Sequence, residues 1–102
     1  MVPPGDNLEF MASGFFRDRI KNAPEVLEAI KEVLRKNPKE GSEIISGVML
    51  LEFQIHGNDF VIFFKRQGNS IGFMYLFFKD EHASIESKIA DLKMRKKGGQ
   101  LP

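Results

Sequence analysis

The chain has no cysteine, no tryptophan and a single tyrosine in 102 residues. The lack of thiols excludes disulfides, thiolate nucleophiles, iron–sulfur clusters and cysteine-ligated zinc. Neither sign of charge dominates: 15 Lys+Arg against 14 Asp+Glu leave +1. That balance argues against a strongly basic nucleic-acid module or an acidic tail. There is no long apolar run either. The most apolar window runs from Ile71 to Phe78, far short of the roughly 20 residues a membrane-spanning helix needs. The stretch Met1-Val2-Pro3-Pro4-Gly5-Asp6 lacks the basic and apolar regions of a signal peptide. A cytoplasmic location and no membrane partner are therefore expected. What the chain does have is phenylalanine, ten of them, most lying between positions 53 and 78.

The length suits one domain. Two Pro, a Gly, an Asp and an Asn make 1–7 a loose lead-in, 8–97 reads as a single domain, and 98–102 as a flexible tail. Leu8, Met11, Phe15 and Ile20 fall at near-helical spacing, interrupted by Ser13-Gly14, and predict a short helix with Ser13 as its N-cap. Pro24 suits a first helical turn, and Val26, Leu27, Ile30, Val33 and Leu34 form one apolar stripe that Asn37-Pro38 ends. From Glu43 to Lys79 the period changes to two. Three apolar runs, Ile44–Ile55, Phe60–Lys65 and Ile71–Phe78, are separated by turns containing Gly57-Asn58 and Gly68-Asn69, and Ser46-Gly47 bends the start of the first. A last helix runs from about Glu81 to Lys97 with a narrow stripe of Ile85, Ile89 and Leu92. The expectation is an α+β fold: one or two N-terminal helices, a three-stranded antiparallel β-meander and a C-terminal helix.

With those turn centres, His56 faces Asp59, Phe53 faces Ile62 and Phe64 faces Phe73. One sheet face then collects Met49, Leu51, Phe53, Ile55, Phe60, Ile62, Phe64, Ile71, Phe73, Tyr75 and Phe77, a core that the helices cover. The other collects Val48, Leu50, Val61, Phe63, Met74, Leu76 and Phe78 inside a polar rim of Glu52, Gln54 and Lys65. A second apolar face rarely meets water. Its cover is expected from the Leu8–Ile20 segment, a second copy of the chain or another protein, which makes those seven residues the candidate interface.

Chemistry is harder to find. His56 and Asp59 resemble a general-base dyad, but no nucleophile is placed beside them, and hairpin turn chemistry accounts for both. Asp80, Glu81 and His82 are ligand-type residues, yet neighbours in sequence rarely point at one ion, and acidic residues are expected where a helix opens. No metal and no cofactor are expected. Lys93, Arg95, Lys96 and Lys97 form the one basic cluster, a candidate for phosphate backbones or simply the cations that suit a helix C-terminus. Ser70-Ile71-Gly72-Phe73-Met74-Tyr75-Leu76 partly echoes an RNA-recognition strand, but Phe73 and Tyr75 fall on the core face and read as packing.

The stretch from Leu51 to Arg95, "LEFQIHGNDFVIFFKRQGNSIGFMYLFFK" followed by "SIESKIADLKMRKK", resembles the RelE/ParE toxin superfamily, its HigB-like branch in particular. Leu51, Phe53 and Ile55 match a first family strand, Phe60, Ile62 and Phe64 a second, Ile71 and Phe77-Phe78-Lys79 a third, and Ile85-Glu86 the closing helix. The resemblance implies one or two helices before an antiparallel sheet, cleavage of messenger RNA by arginines and lysines without metal, and an antitoxin partner. Most of the family's basic residues are absent: the arginine of the second strand is Val61 here, and the basic residue of the first is Gln54. Arg66, Lys79 and His82 are the matches that remain, and so the catalytic candidates. The residues themselves favour a non-enzymatic interaction domain, homodimeric or bound to a protein partner through the second sheet face. A toxin-type ribonuclease acting on RNA, or its inactive relative, is the alternative, and a pocket for a small ligand between helices and sheet is a third reading.

Overall fold

Pro24 opens a helix at its first turn, as its fixed φ and missing N–H favour, and this helix buries Val26, Ile30 and Leu34 in the core. The computed structural model describes residues 8–37, 39–45 and 47–97, with side chains to Met94. The lead-in, the tail, Pro38, Ser46 and the side chains of Arg95, Lys96 and Lys97 lie outside the described residues. The elements run β1 (Glu9–Ala12), α1 (Gly14–Ile20), α2 (Pro24–Lys36), β2 (Ser42–Ile45), β3 (Val48–Ile55), β4 (Asn58–Gln67), β5 (Ser70–Phe78) and α3 (His82–Lys97). The strands form one sheet in the order β1-β5-β4-β3-β2, with β1 parallel to β5 and the other pairs antiparallel. The class is α+β, but the expected three-stranded antiparallel meander is corrected to a five-stranded mixed sheet with three helices.

Two segments account for the extra strands. The residues just ahead of the predicted N-terminal helix, despite their near-helical apolar spacing, form β1, whose Phe10 and Ala12 alternate inward while Glu9 and Met11 are exposed. Its partner, Ser70 to Phe73, is remote in sequence. Ser13 then caps α1 as expected, its Oγ accepting the Phe16 N–H at 3.2 Å. The run Ile44–Ile55 is two strands, not one. Gly47 takes φ +82° and the chain folds back so that Ile45 faces Val48, a tight reversal that a continuous apolar run conceals.

The registers rearrange the faces. The β3–β4 turn centres on His56 and Gly57, with φ of 52° and 80°, so Ile55 faces Asn58 and Phe53 faces Phe60. His56 therefore does not face Asp59. The shift is two residues, which preserves the face of every side chain. Between β4 and β5 the expected pairing, Gln67 with Ser70 and Phe64 with Phe73, holds up to Phe73 and then slips. Phe63 faces Tyr75, which leaves Met74 as an unpaired bulge residue. Beyond it Leu76 and Phe78 turn to the face of Ile62 and Phe60, while Tyr75 and Phe77 turn to the face of Phe63 and Val61. These four assignments are the reverse of the expected ones.

Each face has its own core. On the first, Phe16 and Ile20 of α1 and Val26, Ile30 and Leu34 of α2 pack on Met49, Leu51, Phe60, Ile62, Phe64, Ile71, Phe73 and Leu76. On the second, Val48, Val61, Phe63 and Phe77 lie with Leu92 of α3, flanked by Leu50, Met74, Tyr75, Ile85 and Ile89. The second face is thus covered by the chain's own last helix. Of the seven candidate interface residues, Val48, Val61 and Phe63 are buried on this face, Leu50 and Met74 are half-buried there, and Leu76 is buried in the first core. Phe78 alone is exposed, at 47%. Among the described residues no helix is long and apolar enough to cross a membrane.

Candidate functional site

β1 is short and pairs with only the first part of β5. Along the remainder of β5 the neighbour is α1, whose N-cap Ser13 bonds the Phe73 and Met74 carbonyls and whose Phe15 meets Tyr75 and Phe77. A cleft of about 260 Å³ opens between the corner joining α1 to α2 and the sheet, floored by Ile20, Val26, Ile55, Phe60 and Leu76. Arg19, Glu25, His56, Asn58 and Phe78 also line it. On the other side of Arg19, a hollow of about 420 Å³ between α1 and α3 is bounded by Phe15, Phe77, Glu81, Ser84 and Lys88. A third, of about 210 Å³, adjoins the cleft at Asn58 and Phe78 and is edged by Asp59, Lys79 and Asp80.

One ion pair separates the first two spaces. Arg19 Nη2 donates to Glu81 Oε2 at 2.6 Å, and the same oxygen accepts the Phe78 N–H at 2.7 Å. The guanidinium lies 5.6 Å from the centroids of both the Phe15 and Phe77 rings, a cation–π distance. Phe15 and Phe78 are left 39% and 47% exposed beside this bridge.

The residues singled out from sequence are dispersed. Lys79 and His82 flank the junction of β5 and α3, where Lys79 Nζ lies 3.6 Å from Glu52 Oε2. Arg66 stands near the opposite end of β4, paired with Ile71, about 20 Å along the strand from Phe60 at ~3.3 Å per residue. It serves the fold there: Nη2 donates to the Glu40 carbonyl at 2.8 Å, the guanidinium sits 5.5 Å over the Phe64 ring, and Nε is buried without a partner. Burial, by desolvating the cation, lowers its pKa. Lys93 is exposed on α3. Glu81 is occupied by Arg19, and among the described residues no group of three or more His, Cys, Asp or Glu is gathered to hold a metal.

Sequence reasoning missed Arg19, Glu25, Phe15 and the role of Glu81. The spacing of Phe15 and Arg19, one helical turn apart, was the available signal, but their partner Glu81 lies 62 residues from Arg19. Compared with known protein families, curated proteins and solved structures, the chain matches none.

Proposed function

We propose that the protein is a small, cytoplasmic, non-enzymatic interaction domain that binds another protein chain, a second copy or a different partner, along the seam between α1 and the end of β5. The observation that carries this reading is the pair of half-exposed rings, Phe15 and Phe78, set over adjoining hollows on either side of the Arg19–Glu81 bridge. Large rings in partly desolvated clefts are the residues that dominate protein interfaces. A photo-crosslinking phenylalanine analogue at position 15 or 78 is expected to yield a discrete adduct in cells, of twice the chain's mass if the partner is a second copy. The same analogue at exposed Glu32 of α2 should not. Adducts equal at all three positions, or none, refute the reading.

A second reading is a RelE/ParE-like protein bound by an antitoxin. It is supported by where the resembling residues fall: Leu51, Phe53 and Ile55 on β3, Phe60, Ile62 and Phe64 on β4, Ile71, Phe77 and Phe78 on β5, and Ile85-Glu86 on α3. Arg66 is remote from Lys79 and His82, so the form this reading takes is an inactive relative. Induced expression in bacteria is then expected to leave growth and messenger RNA intact. Growth arrest with RNA cleavage, relieved by Lys79→Ala or His82→Ala, would establish the ribonuclease instead.

A further inference from the structure

The cleft under the α1–α2 corner extends the interaction reading, on which this inference rests, to the chemistry of what is received. Its apolar floor and volume of about 260 Å³ fall below the roughly 300–1,000 Å³ of pockets that enclose drug-sized molecules, a size that suits one ring-bearing side chain. Phe60 and Phe78 form an aromatic corner, their centroids 5.1 Å apart and their planes tilted by 33°. The open side of Phe78 offers a surface for a further ring to pack against.

Charge decides what should accompany that ring. The cations around the cleft are already answered: Arg19 by Glu81, Lys79 by Glu52, and Lys21 by Asp18. Glu25 in the cleft lining, and Asp59 and Asp80 in the adjoining hollow, carry no ion pair among the described residues. The surplus around the opening is negative. We propose that the cleft receives an aromatic side chain of the partner protein, next in sequence to a lysine or arginine that faces Glu25 and the two aspartates.

Blocked dipeptides separate the ring from the charge. In amide-resolved NMR at low ionic strength, acetyl-Trp-Lys-amide is expected to shift Ile55, Phe60 and Phe78. It should bind about fivefold more tightly than acetyl-Trp-Glu-amide, the scale of one or two exposed ion pairs, with the ratio shrinking toward one at ~0.5 M salt. Acetyl-Ala-Lys-amide should leave those amides unmoved. Glu25→Lys, at an exposed position, should remove or reverse the preference. Equal binding of the Lys and Glu peptides overturns the proposal, as do shifts confined to another surface or no shift at millimolar peptide. The two readings fail separately: adducts at position 78 without dipeptide shifts refute the aromatic receptor and leave the interaction domain standing.

Discussion

Ser13 Oγ donates to the carbonyl of Met74 at 2.6 Å while accepting the Phe16 N–H at 3.2 Å. One hydroxyl thus caps α1 and satisfies the backbone of the bulge residue in β5, 61 positions away. The Ser13 N–H adds a bond to the Phe73 carbonyl at 2.8 Å, so the start of α1 is tied both to the bulge residue and to the last paired residue before it. The bulge turns Tyr75 and Phe77 onto the second face, and α1 lies where those rings can meet Phe15.

The hydroxyl must therefore both give and take a hydrogen bond, which sets an unusual substitution order. At an ordinary N-cap, aspartate replaces serine with little loss. Here a carboxylate would still accept from Phe16 but would face the Met74 carbonyl with no proton to offer. Ser13→Ala is expected to cost about 1–2 kcal/mol, Ser13→Asp at least as much, and Ser13→Thr markedly less, all measured by urea unfolding. An aspartate variant as stable as wild type would show that the bond to Met74 adds nothing.

The bulge itself is tested by two neighbouring rings. Phe77 is 4% exposed in the second core, whereas Phe78 is 47% exposed at the cleft. Phe77→Ala is expected to cost about 3–5 kcal/mol, the range for emptying a buried aromatic site, and Phe78→Ala under about 1.5 kcal/mol because half its ring is already wet. A β5 without the slip would place Phe77 on the first face and Phe78 beneath α3. Chemical denaturation of the two variants distinguishes the arrangements: a larger loss for Phe78→Ala would contradict the bulge.

Local chemistry made some of the molecule legible and topology hid the rest. The stripe of Val26, Ile30 and Leu34 behind Pro24, and the cap at Ser13, act within a few residues of themselves and read directly from the chain. β1 does not: four residues with an inward Phe10 and Ala12 become a strand only because Ser70 to Phe73 is there to pair with. The Gly47 reversal lay inside a run whose apolar character continued unbroken across it. Met74 is indistinguishable in sequence from its paired neighbours, and the slip there exchanges the faces of four residues. The candidate site suffered most, since Arg19 and Glu81 come from distant segments, and Phe78 was legible as a contact residue only on the wrong face.

Arg66 offers a test that separates a structural cation from a functional one. Arg66→Ala removes the 2.8 Å bond to the Glu40 carbonyl and the packing on Phe64, and should cost about 1–2 kcal/mol. Arg66→Met keeps the apolar stem and removes the desolvated charge, and should cost less. Desolvation lowers the folded-state pKa below the unfolded one, so the folded chain holds this proton less tightly. That penalty is fully present at pH values below both and relaxes only as pH rises through the lowered folded value, on the alkaline side. Between about pH 5 and 9 arginine is charged in both states, so the stability difference between wild type and Arg66→Met is expected to be flat with pH. A slope in that window, seen in urea titrations at several pH values, would show that another titrating group is coupled to Arg66.

His56 occupies the first of the two positive-φ positions of the β3–β4 turn, at φ 52°, with Gly57 following at 80°. A two-residue turn of this hand matches the twist of the strands it joins, and asparagine followed by glycine is its best-suited pair. A histidine there is held in a backbone region that branched and bulky residues avoid. His56→Asn is therefore expected to stabilise the protein by up to about 1 kcal/mol, and His56→Val to destabilise it by a similar or larger amount, read as shifts in the thermal midpoint. If the imidazole, which lines the cleft, contributes to receiving the aromatic group, His56→Asn will gain stability while weakening acetyl-Trp-Lys-amide binding. Improvement in both would assign His56 to the turn alone, and loss of stability in the asparagine variant would contradict the turn geometry.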